Sequence, residues 1–248
     1  MAQTATAYRD EAPIAAHLES QPLFRGMAPE LRATFIQAAQ MQTLSKGSIL
    51  FLQDDESEWF YLILSGWVKL FTETMDGDEA VIDMVSNGHL IGDSAILEDG
   101  IHSFGAAAVE PVTAIRLPSS LLKQAITDDH KTALAMLGSL SRHRKRQSRE
   151  IESLTLQNAS QRIGCFLLRL CDPDVPMPLT LTLPYDKSLI AARLGMKSET
   201  FSRALNKLRT ETTLAIKGSV VTISDLDELS GYVCSACSNE FPCRDLHS

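Results

Sequence analysis

No cysteine occurs among the first 164 residues of this 248-residue chain, so that part has neither disulfides nor thiolate ligands of its own. No apolar run approaches the ~20 residues that cross a bilayer. The opening segment MAQTATAYRDEAPIAAHLES lacks the charged-then-apolar layout of a secretion signal. The expected location is the cytoplasm, with no membrane partner. H-E-x-x-H, G-x-S-x-G and G-x-x-x-x-G-K-[ST] are all missing. The six histidines are scattered at 17, 89, 102, 130, 143 and 247, and only His247 lies near a cysteine in sequence. These absences argue against an enzyme. A net positive charge is also lacking: the formal balance is −8. The acid is uneven, however. Residues 1–117 hold 6 Lys+Arg against 17 Asp+Glu, whereas residues 118–155 hold 7 against 4 and residues 156–231 hold 9 against 8. Attraction to phosphate is local under physiological screening, so the acidic first half does not forbid nucleic-acid binding by the second.

What is present is an ordinary globular composition, 44% hydrophobic and 22% charged, long enough for two domains. The stretch from Leu183 to Ile223 predicts a helix-turn-helix followed by a two-stranded wing. Asp186 suits the N-cap of a first helix that stops at Gly195, and small Ala191 and Ala192 would admit a closely crossing second helix. In that second helix Phe201, Ala204, Leu205 and Leu208 fall at i, i+3, i+4 and i+7, one apolar stripe. Glu199, Ser202, Arg203 and Asn206 have the same spacing on the opposite face, and their donors and acceptors are those needed to read base edges in a major groove. The bland alternative is an amphipathic helix with a solvated polar face. Leu214–Ile216 and Val220–Ile223, flanking Lys217-Gly218-Ser219, supply the wing signal.

Upstream, Pro29 suits the start of a helix carrying Leu31, Phe35, Ala38 and Ala39, after a loose tail or short helix over residues 1–20. From Leu44 to Leu117 short β runs alternate with Gly, Asn and Asp turns: Ser48–Leu52, Trp59–Leu64, Trp67–Thr72, Ala80–Val85, Gly105–Val109 and Val112–Leu117. That spacing predicts a sandwich or barrel. A short helix (Ser120–Ile126) and a long one (Thr132–Leu154) follow. Leu134, Leu137 and Leu140 begin a seam on the long helix, Arg144 and Gln147 interrupt it, and Ile151 and Leu154 resume it, a natural dimer element. The run Arg142, His143, Arg144, Lys145, Arg146 and Arg149 reads as a solvated basic face, or as a contact with the acidic β region or an effector. After a hinge at 154–158, Asn158 is placed to cap the next helix. A strand over Leu179–Leu183 precedes the helix-turn-helix, and a final short helix is predicted over 224–231.

This order of parts resembles the cyclic-AMP-receptor/FNR family of bacterial transcription regulators. Four stretches carry the resemblance across residues 20–230. They are Pro22-Leu23-Phe24 with Pro29-Glu30-Leu31; Lys46–Phe51 with Leu62–Leu70; Gln161–Leu168; and Leu194-Gly195 through Leu208. The resemblance implies an α+β architecture: a cyclic-nucleotide-binding-like β-roll (20–130), a dimerisation helix and hinge (131–157), a winged helix-turn-helix (158–231) and a cysteine-containing tail (232–248). It also implies a homodimer, double-stranded DNA and RNA polymerase as partners, and half-sites one turn apart, ~34 Å. Glu199-x-x-Ser202-Arg203 matches the E-x-x-S-R pattern of the FNR branch, whose site is close to TTGAT-N4-ATCAA. The chemistry agrees: Arg203 can fork onto guanine O6 and N7, Glu199 can accept from a base amino group, and Ser202 can touch a thymine or phosphate. Lys197 and Lys217 are phosphate candidates. Lys197 stands where the family often has Ser or Thr, which leaves the helix cap open. The β-roll departs from the cyclic-nucleotide pattern, with Asp93 in place of the expected glutamate and Ile101-His102-Ser103-Phe104 without the expected arginine. A buried cyclic phosphate would lack its charge partner, so cyclic AMP is not expected. A ligand-binding module inactive on DNA, and haem held by His89 or His102, are the competing readings; both histidines read first as surface turn residues.

Cys234, Cys237 and Cys243 form C-x2-C-x5-C, which puts two thiolates on one ion or cluster with a third close by. A [4Fe–4S] cluster, a zinc ion, a thiol switch and an inert tail all suit that spacing. Some relatives carry a C-terminal triplet for a [4Fe–4S] cluster with a non-cysteine ligand from the hinge; here Asn158 lies near that carboxylate's place. The fourth ligand stays open among Cys165, Cys171, His247, an Asp and a residue of a second copy.

Overall fold

The computed structural model describes residues 6–8, 11–73, 75–77, 79–171, 175–183, 187–218, 220–237, 241 and 243. The fold is α+β, in two compact units that divide between Ser141 and Arg142. The proposed cap Asp186, the wing residue Ser219 and the candidate ligand His247 lie outside the described residues.

The first unit opens with β1 (Thr6–Tyr8), α1 (Glu11–Ser20), α2 (Pro22–Arg25) and α3 (Pro29–Ala38). Pro22 and Pro29 each sit in a first helical turn, where the missing amide costs nothing. Eight strands follow: β2 (Gln40–Leu44), β3 (Ile49–Phe51), β4 (Trp59–Ser65), β5 (Val68–Glu73), β6 (Glu79–Val85), β7 (Leu90–Ile91), β8 (Gly105–Ala108) and β9 (Val112–Pro118). They form two sheets, ordered β1-β2-β9-β4-β7 and β3-β8-β5-β6. Tyr61, Ile63, Ala114 and Val112 of the first sheet share one core with Val68, Leu70, Ala106 and Ala108 of the second. Phe60, Leu62, Ile115 and Leu117 point the other way, into a second core with Phe24, Phe35 and Leu122. Because β4 and β9 are covered on both faces, their sequences read as continuous apolar runs. All six predicted strands are present. Strands β1, β2 and β7 are additional to them, and of the loose tail or short helix expected over residues 1–20, α1 is the short helix. Then come α4 (Ser119–Asp128) and α5 (His130–Leu156), the long helix, which continues into the second unit.

The second unit adds α6 (Ala159–Arg169), β10 (Leu179–Thr182), α7 (Lys187–Arg193), α8 (Ser198–Glu211), β11 (Leu214–Lys217), β12 (Val220–Ile223) and α9 (Leu226–Cys234). Asn158 caps α6 as expected, in a reciprocal capping box with Gln161. The wing differs from the expected two strands. The segment β10 pairs antiparallel with β12, so the sheet is β10-β12-β11. The last helix is also longer than predicted and ends on Cys234, so the first cysteine of the triplet belongs to folded structure.

Helix α6 is the centre of this unit. Its Ile163, Leu167 and Leu168 pack in one core with Phe201, Leu205 and Leu208 of α8 and Leu229 and Val233 of α9. Gly164 sets the approach to α9: a Cβ there would stand 2.3 Å from Val233 Cγ2. Gly164→Ala is expected to destabilise the protein by ~1–3 kcal/mol, the usual cost of overpacking. The cost should shrink in a Val233→Ala background. Denaturant midpoints of the two single variants and the double variant measure this, and strict additivity would refute the contact.

Candidate nucleic-acid interface and cysteine site

The turn between α7 and α8 is made by Gly195, at φ +61°. Its amide donates to the Ala192 carbonyl (3.0 Å) and the Met196 amide to the Ala191 carbonyl (2.9 Å), the paired closure of a Schellman motif. Arg162 of α6 reaches across and donates from Nη1 to the Leu194 carbonyl at 2.9 Å. Ala191 is buried as the crossing requires, but Ala192 is exposed and takes no part in it.

On α8 the expected stripe is buried throughout: Phe201, Ala204, Leu205 and Leu208. Ser160 of α6 adds a buried hydrogen bond to the Ala204 carbonyl, 3.0 Å, which fixes the roll of α8 about its axis. Glu199, Ser202, Arg203 and Asn206 are all exposed on the other side. Lys197 is the N-cap and makes no side-chain cap bond, leaving its ammonium exposed. Lys217 is exposed at the end of β11. Exposed Lys207 and Arg209, also on α8, extend the basic surface. They fall outside the base-reading spacing, so the helical pattern alone does not single them out.

Beneath the turn lies an ion network with no signature in the sequence. Glu150 of α5 accepts from Arg193 of α7 through both guanidinium nitrogens, at 2.7 and 3.0 Å, and from Arg169 of α6 at 3.0 Å. Burial works to raise the Glu150 pKa, but Arg193 and Arg169 outweigh it and hold the carboxyl below its usual range.

Arg169 also hydrogen-bonds the Cys165 sulfur. Cys165, Cys237 and Cys243 line one cavity of ≈ 20 Å³ together with Arg149, Glu152, Ser153, Gln157, Arg169 and Ala236. Burial pushes the Cys165 thiol up, against Arg169, which pulls it down. Cys234 is pushed up to about 11 by burial, while its sulfur accepts the Phe241 amide. Burial likewise raises Cys243, and Cys165 and Cys237 add to that rise. Cys171 stands apart: it is 1% exposed, packs in the core and donates its S–H to the Leu167 carbonyl at 3.2 Å. Among the described residues, no three His, Cys, Asp or Glu side chains are gathered at metal-holding separation.

The two haem candidates behave differently from each other. His89 is the turn histidine expected, bonded through Nδ1 to the carbonyls of Ser86 (3.1 Å) and Asn87 (3.3 Å). His102 is not a surface residue: it is 3% exposed and stacked on Phe51, with ring centroids 3.8 Å apart. Burial lowers its pKa, and Asp55 opposes that.

The first unit matches the cyclic nucleotide-binding domain over residues 41–129, and the second matches the Crp-like helix-turn-helix domain over residues 161–232. The fumarate and nitrate reduction regulatory protein of Vibrio cholerae is 30% identical over 194 residues, 76% of this chain and 77% of that protein. The cyclic AMP receptor protein of Thermus thermophilus is 27% identical over 208 residues, 84% of this chain and 94% of that one. A solved structure from Ruegeria pomeroyi, described as a candidate cyclic nucleotide binding protein, aligns at TM-score 0.67 and 31% identity, covering 88% of this chain and 96% of its own.

Glu150→Gln removes the charge that two guanidiniums share, and is expected to cost ~1–3 kcal/mol. The sign with pH follows from the depressed folded-state pKa. Stability from Glu150 is present above the ordinary carboxyl value of 4.5 and is lost as pH falls through the lower folded value. Thermal melts of both proteins between neutral pH and pH 3 check this. The variant should melt lower at neutral pH, and the difference should close on acidification.

Proposed function

The chain belongs to the CRP/FNR family of transcription regulators, and from that premise we propose that it acts as a homodimer reading a palindrome close to TTGAT-N4-ATCAA under the control of its cysteine segment. As a transcription regulator of this type it is not an enzyme. The observation that carries the reading is the exposed face of α8. The residue types that hydrogen-bond base edges occupy one side, and the buried stripe occupies the other. Arg203 takes a guanine bidentately, Glu199 accepts from a cytosine or adenine amino group, and Ser202 and Asn206 complete the set. Lys197 and Lys217 contact phosphate and fix the register without reading sequence.

The homodimer is supported by α5. Leu134, Leu137, Ile151 and Leu154 remain exposed on the single chain, with Leu137 at 61% and Ile151 at 66%. A second α5 covers such a seam, as in a coiled coil. RNA polymerase is the further protein partner, and the cytoplasm the place of action. For the β-roll, cyclic AMP is disfavoured because Asp93 and the arginine-free stretch Ile101–Phe104 leave a cyclic phosphate without its cation, and because His102 is already stacked on Phe51.

The signal is oxygen, nitric oxide or redox state, read through a [4Fe–4S] cluster on Cys234, Cys237 and Cys243. The donor set fits: soft thiolates select iron–sulfur clusters and zinc. When bound, such a cluster supplies oxygen- and nitric-oxide-sensitive chemistry. A single zinc ion is a second reading, favoured by the cavity volume of ≈ 20 Å³, close to the space of one water.

Arg203→Ala is expected to weaken binding to a TTGAT-N4-ATCAA duplex by ~1–3 kcal/mol, or roughly 10- to 100-fold, and to relax selection at one guanine. Lys217→Ala should weaken binding to all duplexes alike and lower the salt slope by about one. Fluorescence anisotropy on matched and scrambled duplexes decides; equal wild-type affinity for both would sink the reading. Sedimentation checks the seam: Leu137→Glu with Ile151→Glu should shift dimer to monomer, and an unchanged dimer would place the interface elsewhere.

A further inference from the structure

We propose that Cys165 is the fourth thiolate of a metal centre completed by Cys234, Cys237 and Cys243. The inference rests on the reading of the cysteine segment as a metal site, and it names the ligand that the segment itself lacks.

Three independent features bring Cys165 to the triplet. The first is backbone placement. Gly164 admits Val233 to close contact, and Cys165 and Cys234 are the residues that follow each of them. Gln161 of α6 ties the same corner by donating from Nε2 to Ser235 Oγ at 3.2 Å. The second is the cavity, whose wall holds Cys165 beside Cys237 and Cys243. Cys171 is missing from that set and spends its S–H on the Leu167 carbonyl. The third is charge. A divalent ion with four thiolates carries two excess negative charges, and a buried excess needs cations. Arg149 and Arg169 line this cavity. Arg169 already bonds Cys165, and its buried Nε finds no acceptor among the described residues.

The four thiols do not form a ready-made coordination set among the described residues. The metal completes the set on binding, because a site of this kind rarely exists before its ion is present. The balance is four thiols plus one divalent ion giving a tetrathiolate complex and four protons released to solvent, so affinity rises with pH. An iron–sulfur cluster takes the same four sulfurs, and metal analysis separates the two occupants.

The test uses the full chain, purified and reduced without oxygen, with Co²⁺ as the probe and Zn²⁺ as competitor. Wild type should take one cobalt per chain with thiolate-to-metal charge-transfer absorption. Cys165→Ser should lose about a quarter of that absorption per cobalt, one thiolate of four, or lose the metal altogether, while Cys171→Ser matches wild type. Iron and sulfide analysis of the protein as isolated, where Cys165→Ser loses iron and Cys171→Ser keeps it, supports the same assignment for a cluster. An independent measurement does not depend on any variant folding. Mass mapping after iodoacetamide should show Cys165 shielded in the metal-loaded wild type and modified in the metal-free protein. Metal binding by Cys165→Ser equal to wild type, or alkylation of Cys165 at one rate with and without metal, overturns the assignment of Cys165 and leaves the triplet reading standing. Wild type that takes up no cobalt, zinc or iron overturns both.

Discussion

One close packing contact supports everything that acts in the second unit: helix α6 pressed against its neighbours. Gly164 lets Val233 in on one side, and Ser160 bonds the Ala204 carbonyl on another. The same eleven-residue helix therefore fixes the roll of α8 and the position of α9. Close-packed interiors transmit displacement because they hold few voids to absorb it. A change that pushes α6 is felt by the exposed face carrying Arg203 and by the corner carrying Cys234. The Glu150 network ties α6 electrostatically to two further helices, joining α5, α6 and α7 through one carboxylate. Arg169 lies at the junction, with Cys165 on one side of it and Glu150 on the other.

Much of this is legible in the sequence where the signal is local. The stripe Phe201, Ala204, Leu205, Leu208 declares its own period, and burial follows it without exception. Asn158 and Gln161 declare a cap because the two partners are three residues apart. The strands of the β-roll are marked by their turns. Features that depend on distant partners are not legible. The segment β10 becomes a wing strand only because β12, about forty residues later, offers it an edge. The strand β2 has the mixed sequence Gln-Met-Gln-Thr-Leu, and its identity comes from pairing with β9 at the far end of the unit. His102 sits in a turn-like sequence, yet Phe51 provides the face on which it stacks.

The cysteines show the same limit from the chemical side. Spacing groups Cys234, Cys237 and Cys243 and cannot choose between Cys165 and Cys171, which are six positions apart on or just beyond one helix. Packing separates them: one faces a cavity beside Arg169, and the other is sealed in the core. Arg162 gives a parallel case. Its place in the Gln161–Leu168 stretch is visible as a pattern, but its physical task, closing the carbonyl end of α7 at Leu194, needs the three-dimensional arrangement.

The exposed carboxylate of Glu199 has a further consequence. On a surface that approaches phosphates, an acid is a poor choice for raw attraction. It is repelled by every stretch of duplex and loses its water on entering a groove. Only a base amino group in the right place repays that loss. In the proposed reading Glu199 acts chiefly as a filter, discriminating by penalty against the wrong sequence. For a regulator that must search a whole chromosome, the practical outcome is short residence on mismatched DNA, so fewer molecules are held up on it during the search.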